Sequence, residues 1–179
     1  MTDLEALIDA AKSGDAVKLR SLIAEHPQLA VQRLPSGESP VMAALYLGHH
    51  DVARLLVELG AEPDVFVSAA LGDCDALRLA LMQPGAVNAF AWDGWTPLHL
   101  AAFFGQFEAA RMLTEAGADL HAVSRNSIMN TPLHAAAAGK HERIGRLLLD
   151  AGADPDARDA GGFTALAIAR ENGLDLEDR

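Results

Sequence analysis

A chain of 179 residues, half of them apolar, is long enough to bury a core of ordinary size. Its 14 Lys and Arg stand against 25 Asp and Glu, a net charge of −11 that repels phosphate backbones, and no Lys/Arg cluster gathers into a basic stripe. The single cysteine, Cys74, excludes an internal disulfide, a thiolate metal cluster and a redox pair, and reads as a passive small side chain.

The N-terminus, MTDLEALIDAAKSGD, is acidic and amphipathic, with neither a basic start nor a long apolar run. It reads as neither a signal peptide nor a membrane span, and a cytoplasmic location is expected. AAKSGDAVKLRSLI then gives helix, turn and helix, and SPVMAALYLG from Ser39 with VARLLVELGAEPD from Val52 repeats that pattern in divergent form. SAALGDCDALRLAL repeats it again. The pattern is sharpest in TPLHLAAFFG from Thr96, which returns as TPLHAAAAGK from Thr131 and, weakened, as TALAIARENG from Thr164, at spacings of 35 and 33 residues. Between these copies, EAARMLTEAGAD and RIGRLLLDAGAD are two versions of one amphipathic helix and one turn.

Each unit predicts a helix, a tight turn, a second helix and a loop. In TPLH the Thr hydroxyl caps a helix and Pro takes the first helical position, where its missing N–H does no harm. The pairs Ala101–Ala102 and Ala136–Ala137 let neighbouring helices approach closely. Gly14, Gly48, Gly72 and Gly105 suit the turn to the second helix, and Gly60, Gly117 and Gly152 sit where a left-handed C-terminal cap is wanted. Asp93–Gly94 and Gly161–Gly162 mark the tips of connecting hairpins. No unit buries its apolar face alone, so the units stack, with Leu98 and Leu133 expected between them.

TPLHLAA, LLLDAGADPDARDAGGFT and the period of 33 resemble the ankyrin repeat, with seven of seven matches in TPLHLAA, and the resemblance covers essentially the whole chain. It implies an all-α fold: an ankyrin-repeat solenoid of stacked helix-turn-helix units with short hairpin fingers, of bacterial type, with about five repeats and a short C-terminal unit. The expected layout is a single domain, 1–179, with units at 5–38, 39–62, 63–95, 96–130, 131–163 and 164–179. The 39–62 unit runs only 24 residues, which predicts a direct passage from helix to helix near Pro63–Val67 and a gap in the row of fingers. The 96–130 unit carries two extra residues in AVSRNSIMNTPLH, so its finger around Ser127–Asn130 is expected to bulge. The closing ENGLDLEDR reads equally as a polar cap, a truncation or a frayed end.

Seven histidines raise the question of catalysis or metal binding. The resemblance assigns His99 and His134 to the TPLH turn as neutral imidazoles bridging backbone and Thr hydroxyl. His49, His50 and His141 follow the turn between helices, where exposed polar residues are expected, and a zinc site at HHD would need further ligands from elsewhere. No G-x-S-x-G, P-loop or H-E-x-x-H occurs, and the acidic turns such as DAGADPDARD read as turn formers and solubilising charge. No catalytic residue, metal ligand or cofactor is therefore assigned.

The expected function is a non-catalytic, monomeric scaffold that binds a protein partner of unknown identity on its concave groove, without nucleic acid or membrane. The alternative is an enzyme or a small-ligand or metal-binding protein with its site in that groove. AWDGWTPLHLAAFFG holds four of the nine aromatic residues of the chain. The residues before the turn are Lys12 and Ser13 in the first unit, Tyr46 and Leu47 in the second, Ala70 and Leu71 in the third, Phe103 and Phe104 in the fourth, and Glu171 and Asn172 in the last. Such a groove is apolar in the middle and polar at both ends. The expected partner-binding residues are Tyr46, Leu47, Leu71, Trp92, Trp95, Phe103, Phe104, Ile128 and Met129, with Trp92, Trp95, Phe104, Tyr46 and Leu71 as a continuous exposed patch. The competing reading folds Phe103 or Phe104 back onto the next unit and lays Trp95 over the root of its finger.

Overall fold

The computed structural model describes residues 2–176, and among them every regular element is helical. The chain divides into two compact units, Met1–Pro63 and Asp64–Arg179.

The first unit contains α1 (Asp3–Ser13), α2 (Ala16–Glu25), a 3-10 turn at Pro27–Val31, α3 (Pro40–Tyr46) and α4 (His50–Glu58). Its first helix starts earlier than position 5, because Thr2 and Glu5 form a capping box: the Glu5 N–H donates to Thr2 Oγ1 at 3.2 Å and the Thr2 N–H to Glu5 Oε2 at 2.6 Å. Ser39 caps α3 with its hydroxyl alone, accepting from the Met42 N–H at 3.3 Å, with Pro40 at the first helical position. α1 packs on α2 and α3, and α4 on α2 and α3, around the fully buried Leu7, Leu19, Leu45 and Leu56.

The second unit repeats the pairing: α5 (Val65–Leu71) with α6 (Cys74–Ala80), α7 (Pro97–Phe103) with α8 (Phe107–Glu115), α9 (Pro132–Ala138) with α10 (Glu142–Asp150), and then α11 (Ala165–Glu171). The first helices pack in the order α5, α7, α9, α11, and the second helices in the order α6, α8, α10. Leu98, Leu100, Leu113, Leu133 and Leu148 are buried, as the stacked arrangement requires. Between α4 and α5 lie only residues 59–64, with Asp64 capping α5 through the Phe66 and Val67 N–H groups, so no hairpin intervenes there. At the other end, Leu176 is buried and a Cβ on Gly145 of α10 would meet its side chain, while Arg146 Nη2 donates to the Asp175 carbonyl at 2.9 Å. The segment after α11 therefore docks through Leu176 as well as presenting polar side chains; its last three residues, 177–179, lie outside the described residues.

The turn between paired helices needs a left-handed residue, and Gly105 supplies it at φ 76°. In the next unit the glycine has moved one place back: Lys140 takes the left-handed position at φ 63°, and Gly139 precedes it. The displacement has a steric cause. A Cβ at 139 would collide with the Phe103 carbonyl oxygen of the preceding unit, so only glycine lets the two backbones approach there.

Two outcomes test this packing. Leu133→Ala is expected to lose roughly 2–5 kcal/mol of stability, and a variant melting with the parent would count against stacked units. Lys140→Gly is expected to raise the urea midpoint, by up to about 1 kcal/mol of stability, and Gly139→Ala to lower it. The opposite order would refute the steric account.

Candidate functional site: the fingers and the ends of the first helices

Hairpin fingers follow from local turn chemistry. In residues 34–38, 91–95 and 159–163 the first N–H donates to the fifth carbonyl at 2.8–3.0 Å, closing five-residue fingers. In the 124–130 finger the Ser124 N–H reaches the Asn130 carbonyl at 2.8 Å, so this one holds seven residues. The two extra residues bulge as the sequence implied, with Met129 held at φ 52° and both Ile128 and Met129 more than half exposed.

Within the second unit successive fingers are tied together. The Arg125 N–H donates to the Gly94 carbonyl at 2.8 Å, Asn126 Nδ2 to the Asp93 carbonyl at 2.9 Å, and the Ala160 N–H to the Ile128 carbonyl at 2.9 Å. Gly94 is required at this junction, because a Cβ there would meet the Arg125 backbone.

The TPLH histidines anchor the row to the helices. Thr96 Oγ1 lies 2.8 Å from His99 Nδ1, and His99 Nε2 donates to the Asn130 carbonyl at 3.0 Å. His134 repeats both contacts, with Thr131 Oγ1 at 2.8 Å and the Phe163 carbonyl at 3.0 Å. A carbonyl only accepts, so the proton sits on Nε2 and Nδ1 receives from the Thr hydroxyl. Burial pushes the His99 pKa down to about 4 against the opposing pull of the Asn130 carbonyl and the charge of Asp93.

His49 and His141 are not the exposed turn residues expected; each is half-buried on the turn glycine of the preceding repeat. A Cβ on Gly14 would strike the His49 ring, and one on Gly105 the His141 ring. Gln106 lies over Gly72 in the same manner. His141 Nε2 also donates to the Phe103 carbonyl at 3.0 Å, and its burial lowers its pKa. His50 alone of the three is exposed, and among the described residues no three His, Cys, Asp or Glu side chains gather as metal ligands would.

The aromatic residues of the opening motif divide by role. Trp95 is 8% exposed, stacked on His99 with ring centres 5.9 Å apart and edge-on to Phe103 at 5.1 Å. Phe104 in turn meets Phe103 edge-on at 5.2 Å, and both phenylalanines are half-buried. Trp92, 44% exposed, stands at the finger tip. The expectation of an exposed patch is thus corrected at two positions. Trp95 covers the root of its finger because His99 and Phe103 offer it ring faces, and Leu71 is buried among the helices of its unit. Phe103 and Phe104 form a ladder from the buried tryptophan towards the surface, so neither is wholly core or wholly exposed. Tyr46, half-buried, and Leu47, exposed, belong to the Met1–Pro63 unit. Sequence reasoning passed over Phe163, 51% exposed at the place in its finger that Trp95 holds, and Arg125, whose guanidinium lies 3.7 Å over the Phe90 ring.

Helix pairs joined by left-handed turns, stacked first helix on first helix and linked by hydrogen-bonded hairpins, define a helical repeat protein. The family described as "Ankyrin repeats (many copies)" matches residues 41–114, and "Ankyrin repeat" matches 129–160. The chain belongs to the ankyrin repeat family, whose repeats are protein–protein interaction modules. It is 41% identical over 59 residues to mouse protein phosphatase 1 regulatory subunit 12A, covering 33% of this chain and 6% of that protein. It is 37% identical over 97 residues to human ankyrin repeat and SOCS box protein 16, covering 50% and 21%. Over 120 residues it is 35% identical to the probable E3 ubiquitin-protein ligase XBOS33 of rice, covering 61% and 23%. The chain thus spans less than a quarter of each of these relatives. Among the described residues no helix is long and apolar enough to cross a membrane.

The low pKa of His99 carries a sign. Its folded pKa, about 4, lies below the unfolded value of 6.5, so the native state resists a proton that the unfolded chain accepts. The stabilisation is complete above pH 6.5 and is lost as pH falls towards 4, a change on the order of 3 kcal/mol. Urea midpoints measured across this window should fall more steeply for the parent than for His99→Gln; equal slopes would show that the imidazole is not held neutral.

Proposed function

We propose that this chain is a non-catalytic, monomeric, cytoplasmic scaffold that binds a protein partner, and neither nucleic acid nor membrane, on the face made by the fingers and the ends of the first helices. The observation that carries the reading is the hydrogen-bonded row of fingers in the Asp64–Arg179 unit, bearing exposed Trp92, Ile128 and Met129. Phe104, at the end of α7, is a further aromatic of this face. A row of rigid fingers presents side chains at low entropic cost, and large aromatic residues are the usual anchors of protein interfaces. Tyr46 and Leu47 are proposed as contacts of the Met1–Pro63 unit. Trp95 and Phe103 act beneath the surface as supports of Phe104, and buried Leu71 as part of the packing.

The relatives support a binding role and leave the partner open. One is by name a regulatory subunit of a phosphatase, and another carries ligase activity in its name over a length of which this chain matches 23%. In this chain His99, His134 and His141 are engaged in holding turns and fingers, which supports the reading without catalysis.

The test begins with capture of the partner from the source organism and its identification by mass spectrometry. Trp92→Ala/Phe104→Ala is then compared with Lys12→Ala/Glu171→Ala. The first pair is expected to weaken binding by more than about 2 kcal/mol with little change in melting temperature, and the control to bind as the parent does. Undiminished binding by the first pair would sink the proposed face. Light scattering of the same samples should report the mass of one chain.

A further inference from the structure

Asn172–Gly173 is the only Asn–Gly pair in the sequence, and it forms the turn that follows α11. The other asparagines, Asn88, Asn126 and Asn130, are followed by Ala89, Ser127 and Thr131, whose side chains hinder the backbone nitrogen that they flank. Glycine offers no such hindrance. Attack of the next residue's nitrogen on the side-chain amide, one of the reactions that make asparagine thermolabile, is therefore favoured at this pair above the others.

The same two residues lead into the closing segment of the Asp64–Arg179 unit. Asn172 Nδ2 donates to the Ala137 carbonyl of the preceding repeat at 3.1 Å, and Gly173 turns the chain at φ 77°. Beyond the turn the Leu174 N–H donates to the Ala169 carbonyl at 2.8 Å, the Asp175 carbonyl receives Arg146 Nη2 at 2.9 Å, and Leu176 is buried against Gly145. This docked geometry holds the reaction back. Asn172 sits at ψ 1°, far from the eclipsed arrangement of Cβ and the next nitrogen that ring closure needs, and the Gly173 N–H is spent on the Arg170 carbonyl at 3.0 Å. Cyclisation requires the turn to open, and opening is a local event that the contacts of residues 174–176 oppose.

We infer that Asn172–Gly173 is a site of slow deamidation, that docking of residues 174–176 gates its rate, and that the reaction once complete leaves the segment undocked. The inference is independent of the binding face proposed above. The Gly173 nitrogen gives up its proton and bonds to Asn172 Cγ; the Cγ–Nδ2 bond breaks, and ammonia leaves with that proton. Water then opens the succinimide at one of its two carbonyls to give aspartate or isoaspartate, with nothing oxidised or reduced. Either product replaces the Nδ2 donor by a carboxylate, so an acceptor faces the Ala137 carbonyl where a donor stood. Isoaspartate also adds a methylene to the backbone of the turn, which moves Leu176 out of register with Gly145.

The full chain is aged in warm, mildly alkaline buffer, once folded and once in urea, and followed by isoelectric focusing, peptide mapping and hydrogen exchange of the Leu174 amide. An acidic shift is expected at Asn172 before any other asparagine, and at least about tenfold slower in the folded chain than in urea, since only the open fraction reacts. Asp93–Gly94 cyclises with loss of water and gains no charge, so the shift reports asparagine alone. Folded Leu176→Ser and Arg146→Ala are expected to age at least about threefold faster than the parent, and Asn172→Gln to show no early shift. The Leu174 amide is expected to exchange faster in aged protein and in Asn172→Asp than in fresh parent. A shift mapped first to Asn88, Asn126 or Asn130 would overturn the site. Equal rates folded and in urea, or the parent's rate in both undocking variants, would overturn the gate. Unchanged exchange in aged protein and in Asn172→Asp would overturn the release. Arg146→Ala removes one hydrogen bond made by an exposed arginine and keeps the test decisive should Leu176→Ser disturb the fold.

Discussion

The Asp64–Arg179 unit hangs on an imidazole that uses both of its nitrogens. His99 takes a hydrogen bond from the threonine that starts its own helix and gives one to the Asn130 carbonyl of the finger that follows, 31 residues on. His134 does the same toward Phe163. One side chain thereby satisfies the start of a helix and fixes a finger against it, which neither Asn nor Gln does with the same rigid reach. Both histidines are buried, so water cannot substitute for either bond, and for His99 the neutral imidazole is part of the fold. The fingers inherit their positions from this contact, and the finger-to-finger hydrogen bonds inherit theirs from the fingers.

Much of this was legible because the constraints are local. A Thr-Pro start, a turn glycine, a left-handed cap and a repeat shorter by a finger's length each act within one unit, and the helices begin at Thr96, Thr131 and Thr164 as the motif implied. The capping box of Thr2 and Glu5 was equally readable in TDLE and was passed over, although it starts the first helix at Asp3. What escaped depends on contacts beyond the finger itself. Trp95 and Phe163 hold the same place in two fingers, yet one is buried at 8% and the other exposed at 51%: the rings of His99 and Phe103 that cover Trp95 have Ala167 and Glu171 in their places after Phe163. His49, Gln106 and His141 depend on the neighbouring repeat: each meets a glycine one repeat away, at spacings that pick out no particular chemistry.

The displaced glycine of GK at 139 and 140 shows how such contacts overrule local preference. Local turn chemistry asks for glycine at the left-handed place, and the chain accepts a strained Lys140 there in order to have no side chain where the Phe103 carbonyl passes. That carbonyl also receives His141 Nε2, so the end of α7, with Phe103 and Phe104 upon it, is clamped from the next unit by a hydrogen bond and a close backbone approach together. The aromatic ladder is thus supported on both sides, by Trp95 and by His141.

Variation along the repeats then separates framework from recognition. The exposed faces of α6, α8 and α10 carry the same local solution three times, an arginine paired one turn away with Asp75, Glu108 or Glu142 at 2.8–3.0 Å, and such surface pairs contribute little and select little. In the fingers of the Asp64–Arg179 unit the backbone bonds repeat while the side chains do not: the residue after the first closing position is Trp92, Arg125 or Ala160, and the last is Trp95, Asn130 or Phe163. A hydrogen-bonded frame that tolerates tryptophan, arginine and alanine at one place imposes no side chain there. The identity of those residues is consequently free to follow a partner, whereas the histidines and glycines beneath them answer only to the fold.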